Sequence, residues 1–283
     1  MKRILIQLDT DPLPSAFDRV VAIDADVDQL FSYGGVTPAN ATALVHGAIF
    51  TRAPADLKNT AIFIGGSRAD AGEAVLEAVR KAFFGPMRVS AMLDSNGSNT
   101  TAAAAVRAAS KHVTLDGALA VVLGGTGPVG HRAAQILASQ GATVVVVSRD
   151  KDRADAVCRN IAGIHPDAQL QPASLSDGAG RLLESAQILI AAGAAGARFF
   201  QADEWRTPTL KTAIDLNAVP PAGLDGIGAT DKAAVHGGVT CYGAIGVGGL
   251  KMKIHKAALA RLFESNDRII DTAEVYGLAT GLA

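Results

Sequence analysis

The 283 residues predict an α/β protein of two lobes. Three observations carry that reading. Short apolar runs alternate with helical patterns, as in mostly parallel sheets. From residue 111 onward the alternation contains a glycine turn between a buried strand and a helix. The first 110 residues repeat the alternation without such a turn. The expected division is 1–110 with returning C-terminal helices at 255–283 for the smaller N-terminal lobe, and 111–254 for the second. A cleft between the lobes is expected.

The first lobe opens on a strand at 3–8. A second strand is read at 61–64 and stopped by Gly65-Gly66. Residues 69–84 form an amphipathic helix, with Ala74, Val75, Ala78, Val79 and Phe83 along one side. A third strand covers 88–93. The polar segment 94–101 follows, then an alanine-rich helix over 102–109. In that segment Ser98 or Asn99 is expected to cap the helix. A ligand-binding role is an equally open reading of the same residues.

In the second lobe, Leu119–Leu123 is a strand, 129–140 a helix, 143–147 a strand and 151–161 a helix. Weaker strand character appears at 169–171, then a short helix at 179–185. Further strands are read at Ile188–Ala191, 212–216 and 239–242. The C-terminal stretches 251–264 and 272–282 are helical in pattern. Between the first strand and helix, Gly125, Gly127 and Gly130 satisfy G-x-G-x-x-G in the strand–turn–helix context that a Rossmann dinucleotide site requires. Gly125 is read as permitting the tight turn, Gly127 as letting the backbone approach a pyrophosphate, and Gly130 as letting the helix pack closely. With Thr126, Pro128 and Val129 they form the expected phosphate loop, since free N–H groups at a helix start face an anion.

The end of the next strand refines the cofactor. An NAD site usually places a carboxylate there for the ribose hydroxyls. This chain has Ser148 and Arg149, with Lys151 and Arg153 behind them. Arginine grips a 2′-phosphate through charge-assisted hydrogen bonds, so the reading is NADP. Ala192 and Gly193, after the Ile188–Ala191 strand, and Asn217, in a loop stiffened by Pro220-Pro221, complete the cofactor candidates. A structural turn explains Asn217 equally well.

Composition excludes several classes. The formal net charge is −1 and aromatic residues are few, which argues against a nucleic-acid footprint. No apolar run reaches membrane-spanning length, and the N-terminus is too soon interrupted by Asp9 for a signal peptide. Cys158 and Cys241 stand outside any C-x-x-C pair and read as reduced thiols of a cytoplasmic protein. Six scattered histidines lack metal-ligand spacing, so no metal is expected. Glycine is dense over 243–249, read as a loop that approaches a flat ligand. Lys251 is placed near the first turn of the helix that follows.

These segments resemble the NADP-dependent methylene-tetrahydromethanopterin/methylene-tetrahydrofolate dehydrogenases of methylotrophic bacteria. The resemblance runs nearly end to end. It rests on Gln7-Leu8-Asp9-Thr10-Asp11, Pro14-Ser15-Ala16-Phe17-Asp18 and Ala61-Ile62-Phe63-Ile64-Gly65-Gly66. The most specific piece is Leu93-Asp94-Ser95-Asn96-Gly97-Ser98-Asn99-Thr100-Thr101-Ala102-Ala103-Ala104. In the second lobe it rests on the glycine turn, Asn217-Ala218-Val219-Pro220-Pro221 and Gly246-Val247-Gly248-Gly249-Leu250-Lys251.

The resemblance implies a tetrahydropterin bound between the lobes and a hydride moved from its methylene carbon to NADP. By position it makes Lys251 and Thr101 the catalytic candidates, and Asp18, Ser98 and Asn99 the substrate-binding ones. It also implies a homo-oligomer, with a trimer favoured. A shikimate-dehydrogenase-like reductase is the second reading, though Lys58 and Lys81 lack its context. A folate dehydrogenase/cyclohydrolase would need Tyr-x-x-x-Lys, and Tyr33 is followed four residues later by Thr37. A non-catalytic NADP-sensing protein would keep the glycine turn and need no pterin-side residues.

Overall fold

The computed structural model describes residues 1–282. In chain order the elements are β1 (Ile4–Asp9), α1 (Ala16–Asp24), β2 (Gln29–Tyr33), α2 (Pro38–Ile49), β3 (Thr60–Gly65), α3 (Ala69–Ala82), β4 (Ser90–Leu93), α4 (Ser98–Ala109), β5 (Leu119–Leu123), α5 (Pro128–Ser139), β6 (Thr143–Ser148), α6 (Lys151–Ile164), β7 (Leu170–Ser174), α7 (Ala179–Leu183), β8 (Ile188–Ala191), β9 (Thr212–Asp215), β10 (Lys232–His236), β11 (Val239–Gly243), α8 (Ala244–Arg261), β12 (Ile269–Ile270) and α9 (Thr272–Thr280). The chain divides into two compact units, 1–100 with 252–283, and 101–251.

Unit 1 holds a five-stranded sheet in the order β12-β4-β3-β1-β2, every neighbour parallel. β3 is buried along its whole length and carries the apolar run Ala61-Ile62-Phe63-Ile64, as suits a central parallel strand. One sheet face, with Ile6, Leu8, Ile62, Ile64, Ala91 and Leu93, packs with α2 and α3. α3 buries Gly72, Val75, Leu76, Val79 and Ala82, a three-and-four spacing that aims one stripe inward. Each fully buried Val or Leu contributes roughly 1.5–3 kcal/mol. Gly72 has a steric reason: a Cβ there would lie 2.0 Å from Ser95 Oγ.

Unit 2 holds seven strands in the order β10-β11-β9-β8-β5-β6-β7, parallel throughout except where β10 turns back along β11. β5 lies between β6 and β8, so the strand order reverses at β5. Sheets of this kind bind ligands beyond the carboxyl ends of the strands at such a reversal. The core beneath includes Trp205, fully buried, whose Nε1 donates to the Asp225 carbonyl at 2.9 Å. The Arg206 guanidinium lies 4.8 Å from the Trp205 ring centre.

Several elements differ from the sequence reading. α1, β2 and α2 occupy 16–49, a stretch the pattern left unassigned, and β10 and β12 are short additions at sheet edges. The glycine-dense stretch from 244 onward is helix, not loop. Gly246 is required there, because a Cβ would sit 1.7 Å from the Asp231 carbonyl oxygen as α8 packs on the loop before β10. Lys251 is therefore the eighth residue of α8 and stands well inside the helix. α4 starts at Ser98, four residues before the expected position.

The cap of α4 is also a different residue. Asp94 Oδ1 accepts from the backbone N–H groups of Asn99 and Thr100 at 2.9 and 3.1 Å, and Oδ2 accepts from the Thr100 hydroxyl at 2.6 Å. Ser98 and Asn99 lie inside the first turn.

Two expected outcomes follow from these contacts. Asp94→Ala removes a helix cap and leaves buried donors unmatched, so it costs about 2–3 kcal/mol in denaturant unfolding. An unchanged midpoint would contradict the cap. Cys158 and Cys241 are buried free thiols, and burial, first among the causes, pushes each up to about 11. At neutral pH the thiolate fraction is then on the order of one in ten thousand. A disulfide-exchange reagent should react slowly with native protein and titrate both thiols in denaturant. Fast reaction of the native protein would contradict this burial.

Candidate functional site

In unit 2 the glycine turn is built by close backbone approach. Gly124 carries the left-handed backbone, φ +68°, and a Cβ on it would lie 2.8 Å from the Ala192 carbonyl oxygen. The residue that makes the tight turn is therefore Gly124. Gly125 is needed for a different reason, since its Cβ would meet Val146 Cγ1 at 2.6 Å. A Cβ on Gly130 would fall 2.3 Å from the Gly124 carbonyl oxygen, so α5 packs directly onto the turn. Gly127 is the N-cap of α5 and supplies no side chain to its start. Pro128 has no N–H, and its fixed φ suits the first helical position. The N–H groups of Val129 and Gly130 thus begin the helix without a side-chain acceptor, which is what an anion needs.

Beyond β6 the side chains sort by burial. Ser148 is buried, and its hydroxyl stands 3.3 Å from Thr126 Oγ1 across the turn. It also accepts from the Asp150 N–H at 3.4 Å. Arg149 and Arg153 are exposed and make no ion pair among the described residues. Asp150 caps α6 through the Asp152 N–H at 2.9 Å. His131, just after the glycine turn, is held at 3.1 Å from Asn160 Oδ1 on α6.

Past β8, Ala192 donates to the Leu123 carbonyl at 2.9 Å, which keeps the end of β8 against the end of β5. Gly193 is pinned under the Phe199 ring, where a Cβ would lie 2.4 Å away. Asn217 is buried and both ends of its amide are engaged. Nδ2 donates to the Pro221 carbonyl at 2.9 Å, and Oδ1 accepts from Val219 N–H at 3.0 Å. Asp215, at the head of that loop, accepts from the N–H groups of Asn217 and Leu224 at 3.0 Å each. Burial pushes its carboxyl above the usual carboxylate range, and backbone N–H groups of the loop pull the other way.

In unit 1 the segment after β4 is a polar cluster closed on itself. Asn96 and Gly97 both take left-handed backbone, φ 57° and 59°. The Ser98 hydroxyl donates to the Ser95 carbonyl at 2.7 Å. Asn99 Nδ2 donates to the Leu93 carbonyl at 2.6 Å, and its Oδ1 accepts from the Thr272 hydroxyl at 2.8 Å. Ser98 and Asn99 are buried, so their side chains tie α4 to the end of β4 and to α9. Asp18 stands in the first turn of α1, its N–H donating to Ser15 Oγ at 3.3 Å. Asp9 is buried at the end of β1. It accepts from the N–H groups of Asp11 and Ser15 at 2.9 and 3.0 Å.

The two catalytic candidates sit where the chain passes between units: Thr101 is the first residue of unit 2 and Lys251 the last. Both are half-buried and both lie within helices, α4 and α8. His255, one turn beyond Lys251, is fully buried, and its ring stacks on Phe63 at 5.7 Å. No group of three or more His, Cys, Asp or Glu arranged to hold a metal ion occurs among the described residues. No helix among them is long and apolar enough to cross a membrane.

Residues 16–96 match the family model described as methylene-tetrahydromethanopterin dehydrogenase, N-terminal. The chain is 45% identical to the bifunctional protein MdtA of Methylorubrum extorquens over 287 residues, covering 100% of this chain and 99% of that one. It is 32% identical to the NAD(P)-dependent methylenetetrahydromethanopterin dehydrogenase of the same organism, covering 95% of each. Among solved structures, the quinate dehydrogenase of Corynebacterium glutamicum, in complex with NAD, aligns over 99% of both chains with a TM-score of 0.51 and 14% identity. That likeness is one of fold. The full-length identities to the two Methylorubrum proteins are of another order, and by them the chain belongs to the methylene-tetrahydromethanopterin dehydrogenase family.

Proposed function

We propose that this chain transfers a hydride between the methylene group of methylene-tetrahydromethanopterin or methylene-tetrahydrofolate and NADP, giving the methenyl form in one-carbon metabolism. The observation that carries the reading is the open glycine turn with an unpaired arginine beside it, in a chain alike from end to end to a named dehydrogenase. Two free, buried cysteines support a cytoplasmic setting.

Bound NADP would supply the hydride acceptor; the chain's residues hold and align. The turn 124–130 and the first N–H groups of α5 would carry its pyrophosphate. Arg149, with Arg153 behind it, would carry the 2′-phosphate. Ser148 and Thr126 suit that reading because neither adds a negative charge where a phosphate would sit. Ala192, Gly193 and Asn217 would flank the rest of the cofactor, Asn217 by shaping its loop, since its amide is already engaged.

Asp18, Thr101 and Lys251 are the side chains we assign to the pterin. Ser98 and Asn99 act by fixing the segment that leads to Thr101. Loss of hydride leaves a methenyl carbon whose positive charge is shared by two nitrogens. No proton moves in that step, so the residues need only hold donor and acceptor carbons at near-attack distance, roughly 3–3.5 Å. Lys251 anchors the pterin and is not a base. The direct test is NADP reduction followed by absorbance with each methylene pterin in turn. Reduction with at least one is expected, and none with either would overturn the reading.

Two substitutions test the assignments. Arg149→Ala should narrow the NADP-over-NAD preference by about one to two decades in kcat/KM, the worth of a charge-assisted contact. A wild-type ratio would remove Arg149 from the phosphate site. Lys251→Ala should lower kcat/KM for the methylene pterin by about tenfold or more while leaving NADPH affinity nearly intact. Unchanged pterin kinetics would remove Lys251 from the substrate.

A further inference from the structure

The loops that follow β8 and β9 are joined through one carboxylate. Asp215, at the end of β9, is 2% exposed. Besides the N–H groups of Asn217 and Leu224, it accepts from that of Gly223. The fit at Gly223 is close, since a Cβ there would lie 2.9 Å from Asp215 Oδ1. The Gly223 carbonyl in turn accepts from the N–H groups of Phe199 and Phe200 at 2.8 and 3.3 Å. The Phe199 ring covers Gly193, and a Cβ on Gly124 would lie 2.9 Å from the Gly193 nitrogen. Asp215 is thus the start of a contiguous series, all within unit 2, that ends on the glycine turn.

We propose that Asp215 is a positioning residue for the dinucleotide: its ionised carboxylate holds the 193–199 and 217–224 loops in the arrangement that receives the cofactor, and protonation releases them. The proposal rests on the NADP reading above and adds to it a pH-dependent control of cofactor affinity. The Asp215 oxygens are taken up by the loop, so the residue acts through Gly193 and Asn217 and not by contact.

The chemistry requires the ionised form. A carboxylate only accepts, and the three donors that converge here are all backbone N–H groups. Protonation places a hydrogen on one oxygen, which then opposes an N–H it had accepted from. Burial, the largest cause, pushes the Asp215 carboxyl above the usual carboxylate range, and the N–H groups of Leu224, Asn217 and Gly223 pull it back. Its register neighbours, Ala191 on β8 and Gly243 on β11, carry no charge. Phe199 and the 217–224 loop carry none either, and Arg198, the single charged residue of the two loops, is exposed. Fold and cofactor therefore favour opposite states. Because the folded-state value is raised, the contribution of Asp215 to stability is full below its unfolded value and is lost as pH rises through the folded one. The relief of burial on protonation outweighs the loop contact given up.

The test is the binding of NADP and of NAD to the full chain, without pterin, by titration calorimetry over about pH 4 to 8. Both dissociation constants should rise as pH falls, by about tenfold per unit below the Asp215 midpoint. NAD isolates this limb, because it lacks the 2′-phosphate, which itself titrates near about pH 6. Asp215→Asn should bind both dinucleotides at least tenfold more weakly at neutral pH and should lack the NAD limb. In denaturant unfolding, the lead of the unaltered protein over Asp215→Asn should widen as pH falls, while its lead in binding narrows. A carboxylate that served the fold alone would lose both leads together. Should the variant fail to fold, hydrogen exchange of the unaltered protein serves: the amides of Asn217, Gly223 and Leu224 should lose protection through the same midpoint, relative to those of β8 and β9. NAD affinity flat with pH, a variant that binds like the unaltered protein, leads that fall together, or loop protection unchanged through the midpoint would overturn the proposal and leave the NADP reading standing. No binding of either dinucleotide to the unaltered chain at any pH would overturn both.

Discussion

Three buried aspartates at the carboxyl ends of strands hold the structure's working loops. Asp9 ends β1, Asp94 follows β4 and Asp215 ends β9. Each carboxylate accepts two backbone N–H groups from the segment beyond it, a loop for Asp9 and Asp215 and the first turn of α4 for Asp94. A buried charge is costly unless such donors surround it, and a loop end is costly unless such acceptors meet it. Each cost answers the other. The loops so fixed lead to α1, to α4 and to the 217–221 turn, and these carry Asp18, Thr101 and Asn217. Removing one carboxylate would release both halves of an arrangement, which is why such residues outweigh their single hydrogen bonds.

That constraint was only partly legible in the sequence. The polar run after β4 was visible as a helix start, because asparagine, glycine, serine and threonine cluster there. Its cap was not visible, since capping rules look one residue ahead of the helix. Asp94 reaches across a short turn, in which Asn96 and Gly97 take left-handed backbone, to find N–H groups five and six residues on. Asp215 and Asp9 gave even less signal, as an aspartate after a strand reads equally well as a solvated turn. The glycine turn of unit 2 was legible from spacing alone. The reason for each glycine was not: Gly124, outside the triplet, carries the left-handed backbone, while Gly125 makes room for Val146.

Two helices defeated periodicity for opposite reasons. α8 contains Gly246, Gly248 and Gly249, each costing about 1 kcal/mol against alanine, so propensity favours a loop. Packing reverses that: the helix start lies against the backbone of the loop before β10, closer than any Cβ allows at Gly246, and buries Val247, Ile254, His255, Ala258 and Leu259 further along. α1 failed because it is apolar on both sides. A surface helix is recognised by its polar face, and α1 shows Phe17, Val20 and Ile23 where that face should be. What made α1 and β2 hard to read is what makes them an unusual surface.

The candidate polar side chains sort by burial. Ser98, Asn99, Asn217 and the three aspartates have their side chains engaged inside their own units. They shape loops. Arg149 and Arg153 are exposed beside the glycine turn, and Thr101 and Lys251 are half-buried on helices where the chain passes between units. Helices hold a side chain more firmly than loops do, which matters for a reaction whose demand is alignment. Hydride transfer from a methylene bridge asks for no acid–base pair. A chain that fixes its buried carboxylates in loop structure, and sets an exposed arginine beside its glycine turn, is organised for that demand.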